Sequence, residues 1–226
     1  MTQVQILVTC LAVLIIISVL FHIAKNRPRA ARPLDLLKTA QVMLDLETLG
    51  TAPGCKILSI GACVFNQYGV LETQTFYREI KRHTGQDMLT EDPETVIWWA
   101  EQSETAKRGL LTDRDDDGKV TLTLALIEFN RWLADVGGVD SRGNVLVDVW
   151  GNGSDFDNII IRAAAKAVNV KPGWPYWGNR DYRTLKGLLP HVKAERLGTH
   201  HNALDDARTQ AAHASILLKE LRLWGR

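Results

Sequence analysis

The chain has 226 residues, 46% hydrophobic and 23% charged, enough for one good core and too apolar for a disordered segment. Its 27 basic and 26 acidic residues nearly balance, but Lys25, Arg27, Arg29 and Arg32 crowd into one short stretch, so the remainder is slightly acidic and is no broadly basic nucleic-acid binder. Cys10, Cys55 and Cys63 are odd in number and lack C-x-x-C spacing, which suggests neither a disulfide framework nor a zinc site and suits a reducing compartment.

Residues 4–24 run without a formal charge and end at Lys25-Asn26-Arg27-Pro28-Arg29. At about 1.5 Å rise per residue, some 20 such residues cross a bilayer core of about 30 Å, so a single transmembrane anchor is expected. A cleaved signal peptide would want basic residues before the apolar run, and Met1-Thr2-Gln3 supplies none. Residues 25–39 read as a basic juxtamembrane linker, and residues 40–226 as the globular domain. With Lys and Arg only after the apolar run, the positive-inside rule places that domain in the cytoplasm, at the inner membrane of a bacterium or of a phage-infected host.

The first strand of the domain, Val42 to Gly50, carries Asp45 and Glu47 two residues apart. Alternation points both carboxylates the same way, with Leu44 and Leu46 opposite. Two like charges in one small volume raise each other's pKa unless a cation lies between them, and hard divalent ions suit such oxygens. Lys56 to Phe65 and Thr73 to Ile80 read as two further antiparallel strands around a turn at Asn66-Gln67-Tyr68-Gly69. A helix opens at Pro93 and is expected to run to Leu111; a second spans Leu122 to Val136. Asp113 to Gly118 imitates half of an EF-hand loop but has Leu124 at the twelfth position, so a solvated acidic loop is expected. Asn144 to Trp150 reads as a strand, and Phe156 to Val168, Asp181 to Leu189 and Asn202 to Leu223 as helices. The pattern is α/β, a mixed sheet with helices on its faces.

Two more acidic elements follow. At Trp150-Gly151-Asn152-Gly153-Ser154-Asp155-Phe156-Asp157 a strand end meets a helix start, a usual place for ligands. Asp155 stands where an N-cap would, while Asp157 has no such role and is the better ligand candidate; Asp148 reads as a strand-face acid or ion-pair partner. On the last helix the apolar stripe puts Asp206 on its flank and Asp205 toward solvent. A histidine just before that helix can act as a base near neutral pH, and on chemistry alone His200 and His201 both qualify.

Asp45-x-Glu47, the Phe156-Asp157 pair and His201-x-x-x-x-Asp206 resemble the three motifs of the DEDDh group of 3'–5' exonucleases. The flanking text, Met43 to Gly50, Ile97-Trp98-Trp99, Trp150-Gly151-Asn152-Gly153, Arg180-Asp181-Tyr182-Arg183-Thr184-Leu185 and His201 to Ala207, resembles the exodeoxyribonuclease VIII-like branch found in bacteria and phages. The likeness implies a ribonuclease H-like fold, a mixed five-stranded sheet flanked by helices, and metal-dependent removal of 3'-terminal nucleotides from DNA or RNA. It implies two Mg²⁺ or Mn²⁺ ions about 3.5–4 Å apart: Asp45 on both, Glu47 and Asp206 on the ion holding the water, Asp157 on the second, and His201 as general base.

Thr48 and Leu49 follow the acid pair, where a terminal nucleotide can pack. Trp98 and Trp99 offer faces for base stacking, worth about 1–3 kcal/mol, or else fill the core. Arg180 and Arg183 flank Asp181 and either reach phosphate or pair locally. The competing reading, a membrane-tethered nucleic-acid-binding or scaffolding protein on a fold that no longer turns over, is opposed by the intact acid set.

Overall fold

The computed structural model describes residues 39–107, 111 and 118–224. The apolar run 4–24, the linker through residue 38 and the acidic loop at 113–117 lie outside the described residues. No helix among those described is long and apolar enough to cross a membrane.

Five strands form one sheet: β1 (Ala40–Thr48), β2 (Ile57–Asn66), β3 (Gly69–Glu79), β4 (Val147–Gly151) and β5 (Asn179–Asp181). Their order is β3-β2-β1-β4-β5, with β1, β2 and β3 antiparallel and β4 and β5 parallel to β1. The acid-bearing strand is therefore central, and both its faces are covered. Val42, Leu44 and Leu46 pack with α3 (Leu122–Gly137) and α4 (Asp157–Ala167). On the opposite face Met43 packs with Phe65, Trp150 and the alanine-rich side of α6 (Ala203–Glu220), supported by α5 (Tyr182–Leu188). Alternation thus puts Asp45 and Glu47 on the α6 face, beyond Met43 and toward the strand's C-terminal end.

The contact that brings α6 there is made by Gly61. It pairs with Asp45 across β1 and β2, and a Cβ on it would stand 2.2 Å from the Ala203 carbonyl carbon and the Leu204 nitrogen. Backbone lies on backbone, so no side chain can yield. Gly61→Ala is expected to lift the first turn of α6 off the sheet, to cost about 1–3 kcal/mol by overpacking, and to lower the melting temperature. A variant with wild-type melting would show that the helix is not seated on this residue.

Several expected elements differ in extent. The helix opening at Pro93 is capped by Asp92, whose carboxylate accepts from the Glu94 N–H. It stops at Glu101 (α1, Pro93–Glu101), and a separate turn, α2 (Glu104–Lys107), follows. Gln102 is extended and the Ser103 hydroxyl accepts from the Ala106 N–H, so a serine cap restarts the helix where continuity was expected. The strand expected from Asn144 begins at Val147, because Asp140 holds Asn144 in a loop by accepting from its backbone and side-chain N–H groups. Strand β5 has three residues, too few for any alternation to register. Asp181 caps α5, accepting from the Thr184 N–H.

Candidate active site

Asp45 and Glu47 stand at the end of β1 beside the turn that links β4 to α4. Asp157, 1% exposed, opens α4. Its Oδ1 accepts from the Leu46 N–H (3.1 Å) and its Oδ2 from the Asn152 N–H (2.7 Å). This carboxylate ties the turn to the central strand, a structural role the sequence did not reveal. Asp155, expected as N-cap, is exposed; the capping position is Phe156, with no side-chain hydrogen bond. The chain takes one more residue to reach the helix than the cap pattern suggests.

The other wall comes from α6 and the loop before it. Asn202 caps the helix, its side chain accepting from Leu204 and Asp205 N–H groups. His201 has φ 60, a left-handed conformation uncommon outside glycine, and its N–H donates to Asp206 Oδ2 (2.9 Å). Asp206 Oδ1 accepts from the Arg196 guanidinium, which also donates to the Thr199 carbonyl. Asp205 does not simply meet solvent: its Oδ2 accepts from the Thr199 N–H (2.8 Å) and braces the same loop. One turn beyond Asp206, Gln210 donates from Nε2 to Asp45 Oδ1 (2.7 Å), while its buried Oε1 has no partner among the described residues. Arg196 and Gln210 carry no motif signal, and Asn152 lies in a matching stretch without any role suggested for it. Only Gln210, four residues beyond Asp206 on one helix, could have been found from spacing.

Ligand atoms of Glu47, His201 and Asp206 lie within 4.8 Å of one another. They line a cleft of about 620 Å³ with Asp45, Trp98, Asn152 and Gln210. The His201 ring meets Trp98 edge to face at 4.9 Å between centroids, with Trp99 behind at 6.1 Å. The two tryptophans part company: Trp98 is 41% exposed, whereas Trp99 is 1% exposed and donates its indole N–H to the Thr48 carbonyl (2.9 Å). Leu49 is fully buried against Leu58, Trp99 and Ala106, so it packs the core beneath the cleft. Thr48 lines the cleft, its hydroxyl donating to the Gly50 carbonyl. Arg180 is drawn the other way, pairing at 2.7 Å with buried Asp148, which Gln41 also holds. Arg183 is exposed and donates to the Asn152 carbonyl at the cleft rim (2.7 Å).

The acids strain against one another. Burial, then Asp157, Glu47 and Asp206, hold the Asp45 carboxyl well above the usual range, with only the Gln210 bond opposing. Burial, Asp206 and Asp157 push Glu47 up to about 8 despite Arg196. Burial raises Asp157 to about 6 against its backbone hydrogen bonds. Burial also keeps His201 below its ordinary value, Asp206 partly countering. A cleft lined by the carboxylates of Asp45, Glu47 and Asp206, with buried Asp157 close enough to act on them electrostatically though not lining it, with an orphaned buried amide oxygen and with no lining Lys or Arg among the described residues, fits hard divalent cations, which clustered carboxylate oxygens hold best.

A family model described as the 3'-5' exoribonuclease Rv2179c-like domain matches residues 40–218. That description does not name the exodeoxyribonuclease VIII-like branch that the flanking text resembles. Comparison with curated proteins gives no match. Among solved structures, the nuclease domain of 3'hExo, a DEDDh family member bound to rAMP, aligns with TM-score 0.55 and 13% identity, over 84% of this chain and 96% of that one. Pop2p of S. pombe, in its Mg²⁺- and Mn²⁺-bound form, gives 0.53 and 15%, over 82% and 85%. Cell-death related nuclease 4 gives 0.55 and 14%; there the alignment covers 83% of this chain but 65% of that chain's length. These likenesses establish the ribonuclease H-like fold.

Proposed function

We propose, from the premise that this chain is a hydrolytic 3'–5' exonuclease belonging to the Rv2179c-like exoribonuclease domain family, that it shortens RNA from the 3' end with His201 as general base. Asp45, Glu47, Asp157 and Asp206 would hold two divalent ions, Mg²⁺ or Mn²⁺. When bound, such ions supply positive charge to phosphate oxygens and to the departing 3' oxygen. The remaining work falls to the chain itself. The His201 ring, whose charged form burial disfavours, accepts the proton of the attacking water, and Asp206 stabilises the imidazolium as it forms. The bond from the His201 N–H to Asp206 fixes the loop that aims the ring. Trp98 and Trp99 wall the ring on one side and exclude bulk water. Asp157, with both oxygens already accepting backbone N–H groups, has lone pairs left for an ion or its water.

The observation that carries this reading is the meeting of Glu47, His201 and Asp206 from opposite ends of the chain in one cleft beside Asp45. The test is incubation of the full chain and Mg²⁺ with 5'-labelled RNA, DNA of the same sequence and a closed circular RNA. A ladder of 3'-shortened RNA with the circle intact is expected. Cutting of the circle would overturn the exonuclease mechanism, and faster shortening of the DNA would overturn RNA as substrate, since only contacts to the 2'-hydroxyl separate the two.

The sequence of residues 4–24 and the basic residues after it support a single-pass anchor with the nuclease on the cytoplasmic side. Removal of residues 1–32 is expected to release an active soluble enzyme, because every candidate ligand lies beyond residue 40. Full-length chain that leaves membranes on carbonate extraction, or a nuclease domain digested from outside intact spheroplasts, would refute the anchored cytoplasmic placement.

A further inference from the structure

On the rim of the cleft, Asn152 uses three polar groups at once. Its N–H donates to Asp157, its carbonyl accepts from Arg183 Nη2 (2.7 Å), and its Oδ1 faces Lys186 Nζ at 3.4 Å. Arg183 and Lys186 are one turn apart on α5 and so share a side. Gly153, at φ 138, lets the guanidinium lie across the backbone, since a Cβ there would stand 3.1 Å from Arg183 Cζ. Burial and the neighbouring guanidinium both hold the Lys186 ammonium below its ordinary pKa, with Asp181 opposing.

Two cations are thus held side by side on neutral oxygens, with no carboxylate at ion-pair distance among the described residues. Asp157 feels the Arg183 charge and Asp181 the Lys186 charge, but neither carboxylate closes an ion pair with them, so both cations keep N–H groups for an added anion. The cleft beside it is lined by Asp45, Glu47, Asp92, Glu94 and Asp206, whose charges repel a polyanion. We propose that Arg183 and Lys186 bind a phosphate of the strand upstream of the scissile one, so that the enzyme selects an oligonucleotide over a single-nucleotide ester. Asn152 links this phosphate seat to Asp157, fixing the strand in register with the acids. The inference rests on the exonuclease reading above.

The test compares the full chain acting on a short single-stranded oligoribonucleotide and on the p-nitrophenyl ester of uridine 5'-monophosphate, which has a scissile phosphodiester and no upstream phosphate. In an Arg183→Gln, Lys186→Gln double variant the ratio of kcat/KM for the oligomer to that for the ester is expected to fall about tenfold or more. The salt dependence of oligomer cleavage should become shallower by about one unit of slope. Lys186→Arg should recover most of both effects. An unchanged ratio and slope, or equal losses on both substrates, would overturn the upstream seat while leaving the nuclease intact. A wild-type chain that cleaves neither substrate would overturn the exonuclease reading itself.

Discussion

Asp45→Asn, Glu47→Gln, Asp157→Asn and Asp206→Asn are each expected to lower metal-dependent nucleotide release by about 10³-fold or more. Each removes charge that would hold a cation, and several kcal/mol of transition-state stabilisation lost at about 1.4 kcal/mol per decade gives that size. The first two should also make the metal-free protein more heat-stable near pH 8, because burial and the neighbouring carboxylates disfavour each charge in the folded state. The sign follows from Glu47, whose carboxyl is raised to about 8 in the folded protein from an ordinary 4.5. The folded state therefore binds the extra proton, and its stability is full below about pH 4.5 and declines as pH rises through about 8. Melting curves in chelator across that range should slope downward for wild type and flatten for Glu47→Gln; identical slopes would contradict the shared-charge cleft. Asp157→Asn should differ by losing stability, because an amide nitrogen would face a backbone N–H now bonded to carboxylate oxygen. Asp155→Asn and Asp205→Asn should be mild, the one exposed and the other able to keep its bond from the Thr199 N–H.

His201→Ala is expected to lower kcat by about 10²–10⁴-fold with little change in Mn²⁺ affinity, the span of a positioned base. The acidic limb of the wild-type rate profile should lie below the ordinary imidazole pKa of 6.5, because burial disfavours the charged ring, and the part due to this ring should vanish in the variant. His200→Ala should do little, since His200 is exposed while His201 packs against Trp98. Rate measurements under saturating substrate, with Mn²⁺ affinity followed by electron paramagnetic resonance, separate base from ligand. Equal losses in the two histidine variants would mean that the wrong ring has been assigned.

What could be read from the sequence was whatever repeats at a fixed period or recurs at a fixed spacing. Asp45 and Glu47 share a face because strands alternate, and Asp206 faces the sheet because its helix has one apolar side. What could not be read depends on loops folding back. Asp157 and Asp205 hold distant backbone N–H groups, Arg196 reaches over the loop to Asp206, and Leu49 turns into the core rather than toward a nucleotide. None of these has a period. The same holds for Arg180, whose partner Asp148 lies on the neighbouring strand and is visible only once β5 is known to pair there.

Gly61 and the first turn of α6 also set a timetable. His201 and Asp206 are delivered by the last helix, which reaches the acid pair only by settling on a strand made some 140 residues earlier. During synthesis, then, the acid pair lacks His201 and Asp206 until nearly the whole domain has left the ribosome. Chains released before residue 203 should be inert toward RNA even with the first three acids in place, and adding the missing helix as a separate peptide is the measurement that would show whether docking alone arms them.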